Sequence, residues 1–203
     1  TTSTPAAHPA PPNGETMTIT HPELVSALVK PGATIAAQMT ATEADLWHGA
    51  TGVAGETTEI LEAVVESELT DELLDMDNML EELGDMEFYI EQVRQNLGIS
   101  RDDTLCMSDD SGPSNLFDDA AILAVIGGQL LDLAKKVAIY KKAVEKDAFI
   151  AVLARLEVAM ARLRMHTGYT RDESLSGNIA KLSVRYAGLT YSNEAAQVRA
   201  DKA

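Results

Sequence analysis

Residues 53–64 read V-A-G-E-T-T-E-I-L-E-A-V, and residues 79–90 read M-L-E-E-L-G-D-M-E-F-Y-I. In both, apolar side chains recur at three- and four-residue intervals, the period of an α-helix and not of a strand. Each also carries two acids three residues apart, Glu56 and Glu59 in the first and Glu82 and Asp85 in the second. At about 100° per residue, that spacing points both carboxylates of a pair to one side of the helix. Val53, Ile60, Ala63 and Val64 mark the apolar arc of the first helix. Glu56 falls inside this arc, between Ile60 and Ala63, and Glu59 sits at its edge. In the second helix Met79, Met86, Tyr89, Ile90 and Val93 mark the arc. Glu82 falls between Tyr89 and Val93, with Asp85 at the edge. The other acids nearby, including Glu62, Glu66, Glu81 and Glu91, fall on the polar side and read as solvated.

A carboxylate on an apolar arc needs a partner, because burying it unpaired is costly. The cations of residues 1–126 are Lys30, Arg94 and Arg101, and sequence logic puts none of them between these two helices. A metal ion is the natural partner. Four hard oxygen ligands suit Mg2+, with Mn2+ as a substitute. A di-iron bundle would require two Glu-x-x-His motifs. The sequence has none, and its single Asp-x-x-His joins Asp45 to His48.

The same periodicity runs along the chain and predicts helices at about 21–29, 42–67, 71–97, 116–142, 146–166 and 171–186. The expected fold class is therefore all-α, a helical bundle. Gly98 and Gly168 stand where helix-ending glycines belong. Ser100 opens S-R-D-D and Thr170 opens T-R-D-E, both patterned like capping boxes. Residues 1–20, rich in Thr, Ala and Pro, are expected to form a disordered tail. Residues 106–115 read as a polar loop. The expected organisation is an acidic, metal-binding repeat over 21–105, a linker over 106–118, and a basic repeat over 119–203, together one compact domain.

The repeat emerges from the caps. NLGISRDDTL at 96–105 aligns with HTGYTRDESL at 166–175, pairing Gly98 with Gly168 and Arg101 with Arg171. At the same offset Glu87 pairs with Glu157 and Arg94 with Arg164. Upstream, after a two-residue shift, V-A-G at 53–55 aligns with V-I-G at 125–127. Two related helical hairpins are expected. On that alignment the second copy lacks the acids. Gly128 stands opposite Glu56, Leu131 opposite Glu59, Val152 opposite Glu82 and Arg155 opposite Asp85.

Charge divides the same way. The net charge is −16, with 3 Lys/Arg against 24 Asp/Glu in residues 1–126 and 13 against 8 in residues 127–203. So acidic a chain is not expected to bind nucleic acid, whose phosphates are held by Lys and Arg. Acids gathering metal and bases gathering phosphate would account for the split. Lys181 and Arg185, spaced i, i+4 with Asn178 one turn before, can reach one phosphate chain from one helix face. Lys135, Lys136, Tyr140 and Lys142 are further candidates. The only cysteine is Cys106, which rules out an internal disulfide and fits a reducing compartment. No apolar run has the length of a membrane span, and no leader-like start is seen, so the cytoplasm is expected.

At the acid pairs the sequence resembles the MazG-like all-α nucleotide pyrophosphohydrolases, a superfamily that includes the dimeric dUTPases. The family pattern places Glu-x-x-Glu on one helix and Glu-x-x-Asp on another. H-G-A-T-G-V-A-G-E at 48–56 and E-E-L-G-D-M-E-F-Y at 81–89 carry the match. K-K-V-A-I-Y-K-K at 135–142 and N-I-A-K-L-S-V-R-Y at 178–186 resemble the tails of phage-encoded members, so the likeness covers about residues 24–202.

The resemblance implies a MazG-like bundle with Mg2+ held by Glu56, Glu59, Glu82 and Asp85. It implies cleavage of a (deoxy)nucleoside triphosphate to a monophosphate and pyrophosphate, with Glu56 or Glu59 as the base. A purine nucleotide such as dGTP is the first expected substrate. dUTP and dCTP are the alternative, because a tandem pseudo-dimer also resembles the dimeric dUTPases. Asn178, Lys181, Arg185 and Tyr186 would bind substrate, and Trp47 or His48 would meet the base. A homo-oligomer, dimer or tetramer, is expected, in the host cytoplasm if the chain is phage-encoded. The competing class is a non-catalytic helical nucleotide-binding or interaction protein. It would not need four carboxylates on apolar arcs.

Overall fold

The computed structural model describes residues 19–70, 72–105, 115–186 and 188–202. Most of the expected tail, the loop at 106–114 and Cys106 lie outside the described residues. The chain divides between Gln38 and Met39 into two units. The first holds α1 (His21–Leu28) and α2 (Gly32–Gln38). Thr20 caps α1 in a capping box, its backbone N–H donating to Glu23 Oε2 at 2.9 Å.

The second unit carries everything else. Its elements are α3 (Ala41–Thr70), α4 (Met76–Leu97), α5 (Asp102–Leu105), α6 (Leu116–Ala138), α7 (Lys146–Thr167), α8 (Arg171–Arg185), α9 (Asn193–Val198) and a 3-10 turn at Ala200–Lys202. No strand occurs among the described residues, so the fold is all-α. No described helix is long and apolar enough to cross a membrane. The caps lie where the sequence puts them. Gly98 and Gly168 adopt the left-handed conformation at φ 59° and 76°, where a side chain would be strained. Thr170 forms a full capping box with Glu173, and Ser100 N–H donates to Asp103 Oδ2 at 2.8 Å. α6 ends four residues earlier than its periodicity suggests, because Lys141 takes φ 58° and turns the chain towards α7. α2, α9 and the 3-10 turn are too short for periodicity to reveal.

Packing follows the apolar arcs. α3 lies against both α4 and α6, α6 against α7, α4 against α8, and α5 against α7. Small residues set the close approaches. A Cβ on Gly52 would lie 2.3 Å from the Tyr89 ring, and one on Gly127 2.6 Å from Thr57 Oγ1. The first lets Tyr89 of α4 press closely onto α3, and the second lets α3 and α6 touch.

A 70-residue offset relates the two halves. α4 and α7 are each 22 residues long, and both their starts and their ends lie 70 positions apart. The same offset carries Ala50, Val53, Ile60 and Val64 onto Ala120, Leu123, Leu130 and Ala134, all eight buried. The two-residue shift at the first helices fits less well, since it sets buried Val53 beside Val125, which is 59% exposed. With a uniform offset the counterparts of Glu56 and Glu59 are Ile126 and Gln129, not Gly128 and Leu131. Contacts exchange in the same register. Arg101 binds Glu157 through Nε and Nη2, both at 3.2 Å, and Arg94 joins it. Reciprocally, Arg171 binds Glu87 at 2.9 and 2.7 Å, and Arg164 adds a bond at 2.6 Å. Thr57 and Gly127, themselves 70 apart, touch each other.

Candidate metal centre

α3 and α4 face one another with their acid pairs inward. Glu56, Glu59 and Glu82 each bring one carboxylate oxygen within 4.8 Å of the other two. Glu82 is buried, Glu56 half-buried and Glu59 exposed, so the cluster grades from the core to solvent. Such proximity is unfavourable for three full charges. Burial, a hydrogen bond with Glu82 and the charges of Asp85, Glu82 and Glu59 push the Glu56 carboxyl up to about 9. Burial also raises Glu82, together with the charges of Glu59 and Asp85, while the bond with Glu56 opposes the rise. In the metal-free protein Glu56 therefore holds a proton at neutral pH and shares it with Glu82. A divalent cation bound by hard oxygens would displace that proton, and the donor set fits such an ion.

Asp85 stands apart from the three. Its Oδ1 accepts from Asn178 Nδ2 at 2.6 Å, and Oδ2 is bound by Lys181 Nζ. The cation that reaches these acids is thus none of Lys30, Arg94 and Arg101 but Lys181, which arrives from α8, almost a hundred residues away. Gly84 makes this possible. A Cβ there would lie 2.8 Å from the Ser174 carbonyl oxygen and 3.0 Å from Asn178 Cβ. Without one, α8 lies directly on α4 and its polar side chains meet Asp85.

Among the expected substrate residues, Asn178 and Lys181 are therefore at the site. Arg185 is turned to Asp201, with Nε and Nη2 each at 2.6 Å from a carboxylate oxygen. The half-buried Tyr186 rests 5.6 Å, ring to ring, from Tyr191. Tyr89 lies among these groups. Burial first, then the charges of Glu56, Asp85 and Tyr186, raise its phenol above the usual range. His48 is exposed, edge-on to Tyr89 at 5.8 Å, with Nδ1 3.3 Å from Gln92 Nε2. Trp47 is half-buried on α3, nine residues before Glu56, or about 13 Å along the axis. Of the remaining basic candidates, Lys136 pairs with Asp132 at 2.7 Å and Lys135 lies 5.7 Å over the Tyr140 ring.

Comparison of the chain with protein-family models, with curated proteins and with solved structures returned no match.

Helical periodicity alone does not reveal Glu81. It reads as solvated, yet it is half-buried and meets Lys181 at 3.3 Å, Lys202 at 2.5 Å and Arg199 at 3.8 Å. Lys202 and Lys181 hold its carboxyl below the ordinary range against the opposing effect of burial. Asp201 likewise escapes a reading of periodicity. Its pairing with Arg185 lowers its carboxyl to about 2.

Proposed function

We propose that the protein is a divalent-metal-dependent nucleoside triphosphate pyrophosphohydrolase, converting a (deoxy)nucleoside triphosphate and water to a monophosphate and pyrophosphate. The observation that carries this reading is the convergence of Glu56, Glu59 and Glu82 within 4.8 Å, beside an aspartate bound to Asn178 and Lys181. Glu56, Glu59 and Glu82 would hold Mg2+, or Mn2+ in its place, with Asp85 completing the set once Lys181 turns to substrate. A cation there supplies charge neutralisation at the α-phosphate and lowers the pKa of bound water.

The chain's own residues do the rest. Glu59, the exposed member, accepts a proton from the attacking water. The water oxygen bonds to the α-phosphorus, the bridge to the β-phosphate breaks, and its electron pair leaves with pyrophosphate. Lys181 and Asn178, freed from Asp85, bind the phosphate oxygens that accumulate charge. Buried Glu82 anchors the site on α4. Little covalent protein chemistry is needed, because positioning and charge carry the reaction.

The reciprocal arginine–glutamate pairs support a duplicated hairpin, one copy keeping the acids and the other losing them. In the second copy Arg155, counterpart of Asp85, donates to Gln129, counterpart of Glu59, at 2.6 Å. Such a pseudo-dimer keeps dUTP and dCTP in view alongside dGTP. Pyrophosphate release from a panel of dNTPs with Mg2+ tests the reaction and ranks the bases. Glu59→Gln should abolish it while leaving the helical circular dichroism unchanged. Release of orthophosphate and a diphosphate, or turnover in the variant equal to the unaltered protein, would refute the assignment.

A further inference from the structure

Four cations gather where α8 and the C-terminal turn meet α4: Lys181, Arg185, Arg199 and Lys202. One carboxylate, Glu81, faces three of them, with Lys181 at 3.3 Å and Arg199 at 3.8 Å from one oxygen and Lys202 at 2.5 Å from the other. Asp201 takes the fourth, Arg185, through two parallel bonds of 2.6 Å. Beneath the turn, between α4 and α8, lies a cavity of about 560 Å³ whose walls include Glu81, Lys181, Asp201 and Lys202. Asp77, also on its wall, is exposed.

A two-armed guanidinium–carboxylate pair has the geometry that a guanidinium also offers to phosphate. A carboxylate surrounded by three cations likewise occupies the position of a more highly charged oxyanion. We infer that Lys181, Arg185, Arg199 and Lys202 form a polyphosphate-binding cluster closed by the C-terminal turn, with Glu81 and Asp201 as internal placeholders for phosphate oxygens. The inference rests on the triphosphate reading and deepens it. The cluster takes the end of the substrate that leaves as pyrophosphate, and Arg199 and Lys202 join α8 in holding it. Binding releases Arg185 from Asp201, so the bridge that ties the turn to α8 in the free protein is exchanged for bonds to the ligand.

Isothermal titration with inorganic tripolyphosphate in the presence of Mg2+ tests the cluster on the full chain. Arg199→Ala and Lys202→Ala should each weaken binding ~5–10-fold, as expected for a partly exposed charge-assisted bond. Both side chains are about half exposed, at 51% and 48%, so their removal does not threaten the fold. Asp201→Asn should tighten binding several-fold, because Arg185 no longer has a competing carboxylate. Arg155→Ala, exposed on α7, should leave affinity unchanged. Unchanged affinity in both Arg199→Ala and Lys202→Ala, or weaker binding in Asp201→Asn, overturns the inference. dNTP hydrolysis is assayed in parallel. Hydrolysis by a protein whose tripolyphosphate affinity ignores these residues sinks the cluster alone. Tripolyphosphate binding through them without hydrolysis of any nucleotide sinks the hydrolase reading and leaves the cluster standing.

Discussion

Glu56 couples the acidic cluster to the stability of the second unit. Its carboxyl is raised from 4.5 to about 9 in the folded protein, so between those values the native state holds a proton that the unfolded state has lost. Stability from this group is complete below pH ~4.5 and declines as pH rises towards 9. The metal-free protein should therefore melt at progressively lower temperature from pH 5 to 9, and Glu56→Gln should flatten that slope and raise the melting temperature at pH 8. Mg2+ at pH 8 should restore the unaltered protein more than the variant. A metal-free Glu56→Gln protein that melts below the unaltered one at pH 8 would show that the carboxylates are not in strained proximity. The placement of Glu56 and Glu82 was legible, since a helical wheel sets them on apolar arcs. Glu81 was not, because its three partners lie 100 or more residues downstream and only tertiary packing brings them to it.

Among the elements, α8 decides whether the acids meet a cation, and Gly84 decides how close α8 comes. Gly84→Ala would press a methyl against the Ser174 carbonyl oxygen at 2.8 Å and Asn178 Cβ at 3.0 Å. Backbone cannot give way as a flexible side chain can, so α8 must shift. We expect a loss of about 1–3 kcal/mol, the usual cost of overpacking, with nucleotide affinity falling as Asn178 and Lys181 leave their positions. Gly177→Ala is the matched control, since a Cβ there meets nothing within 4 Å. As a glycine inside a helix, it should gain about 0.5–1 kcal/mol on becoming alanine. Denaturant unfolding and nucleotide titration of both variants decide it, and equal effects would mean that α8 does not depend on Gly84. E-L-G-D was readable as text, but the reason for its glycine was not, because periodicity says nothing about which helix comes to lie against that turn.

At the scale of the molecule, two reciprocal ion clusters tie the halves of the second unit together. Glu87 is 2% exposed and Glu157 7%, and each is held by two arginines from the opposite half. Removing one partner of a buried pair strands the remaining charges, at a cost of about 3–5 kcal/mol. Glu87→Gln and Glu157→Gln should therefore destabilise by similar amounts in denaturant unfolding, although only one belongs to the half that carries the acids. A large loss in one and none in the other would break the equivalence. The matching capped turns at Gly98 and Gly168 were visible in the sequence. V-A-G and V-I-G match as letters after a two-residue shift, while burial follows a uniform offset of 70. That each arginine pair reaches across to the other half was not legible, since only the assembled bundle fixes which glutamate it meets.

The proposed hydrolysis is a water attack at the α-phosphorus of a nucleoside triphosphate, supported by a metal ion on Glu56, Glu59 and Glu82. Hydrolysis of a turned-over dNTP in 18O-labelled water, with products resolved by mass spectrometry, tests it most directly. The expected products are a nucleoside monophosphate carrying one 18O and unlabelled pyrophosphate, with none formed when Mg2+ is removed by chelation. Label in pyrophosphate or orthophosphate, or no Mg2+-dependent turnover of any common dNTP, would contradict it.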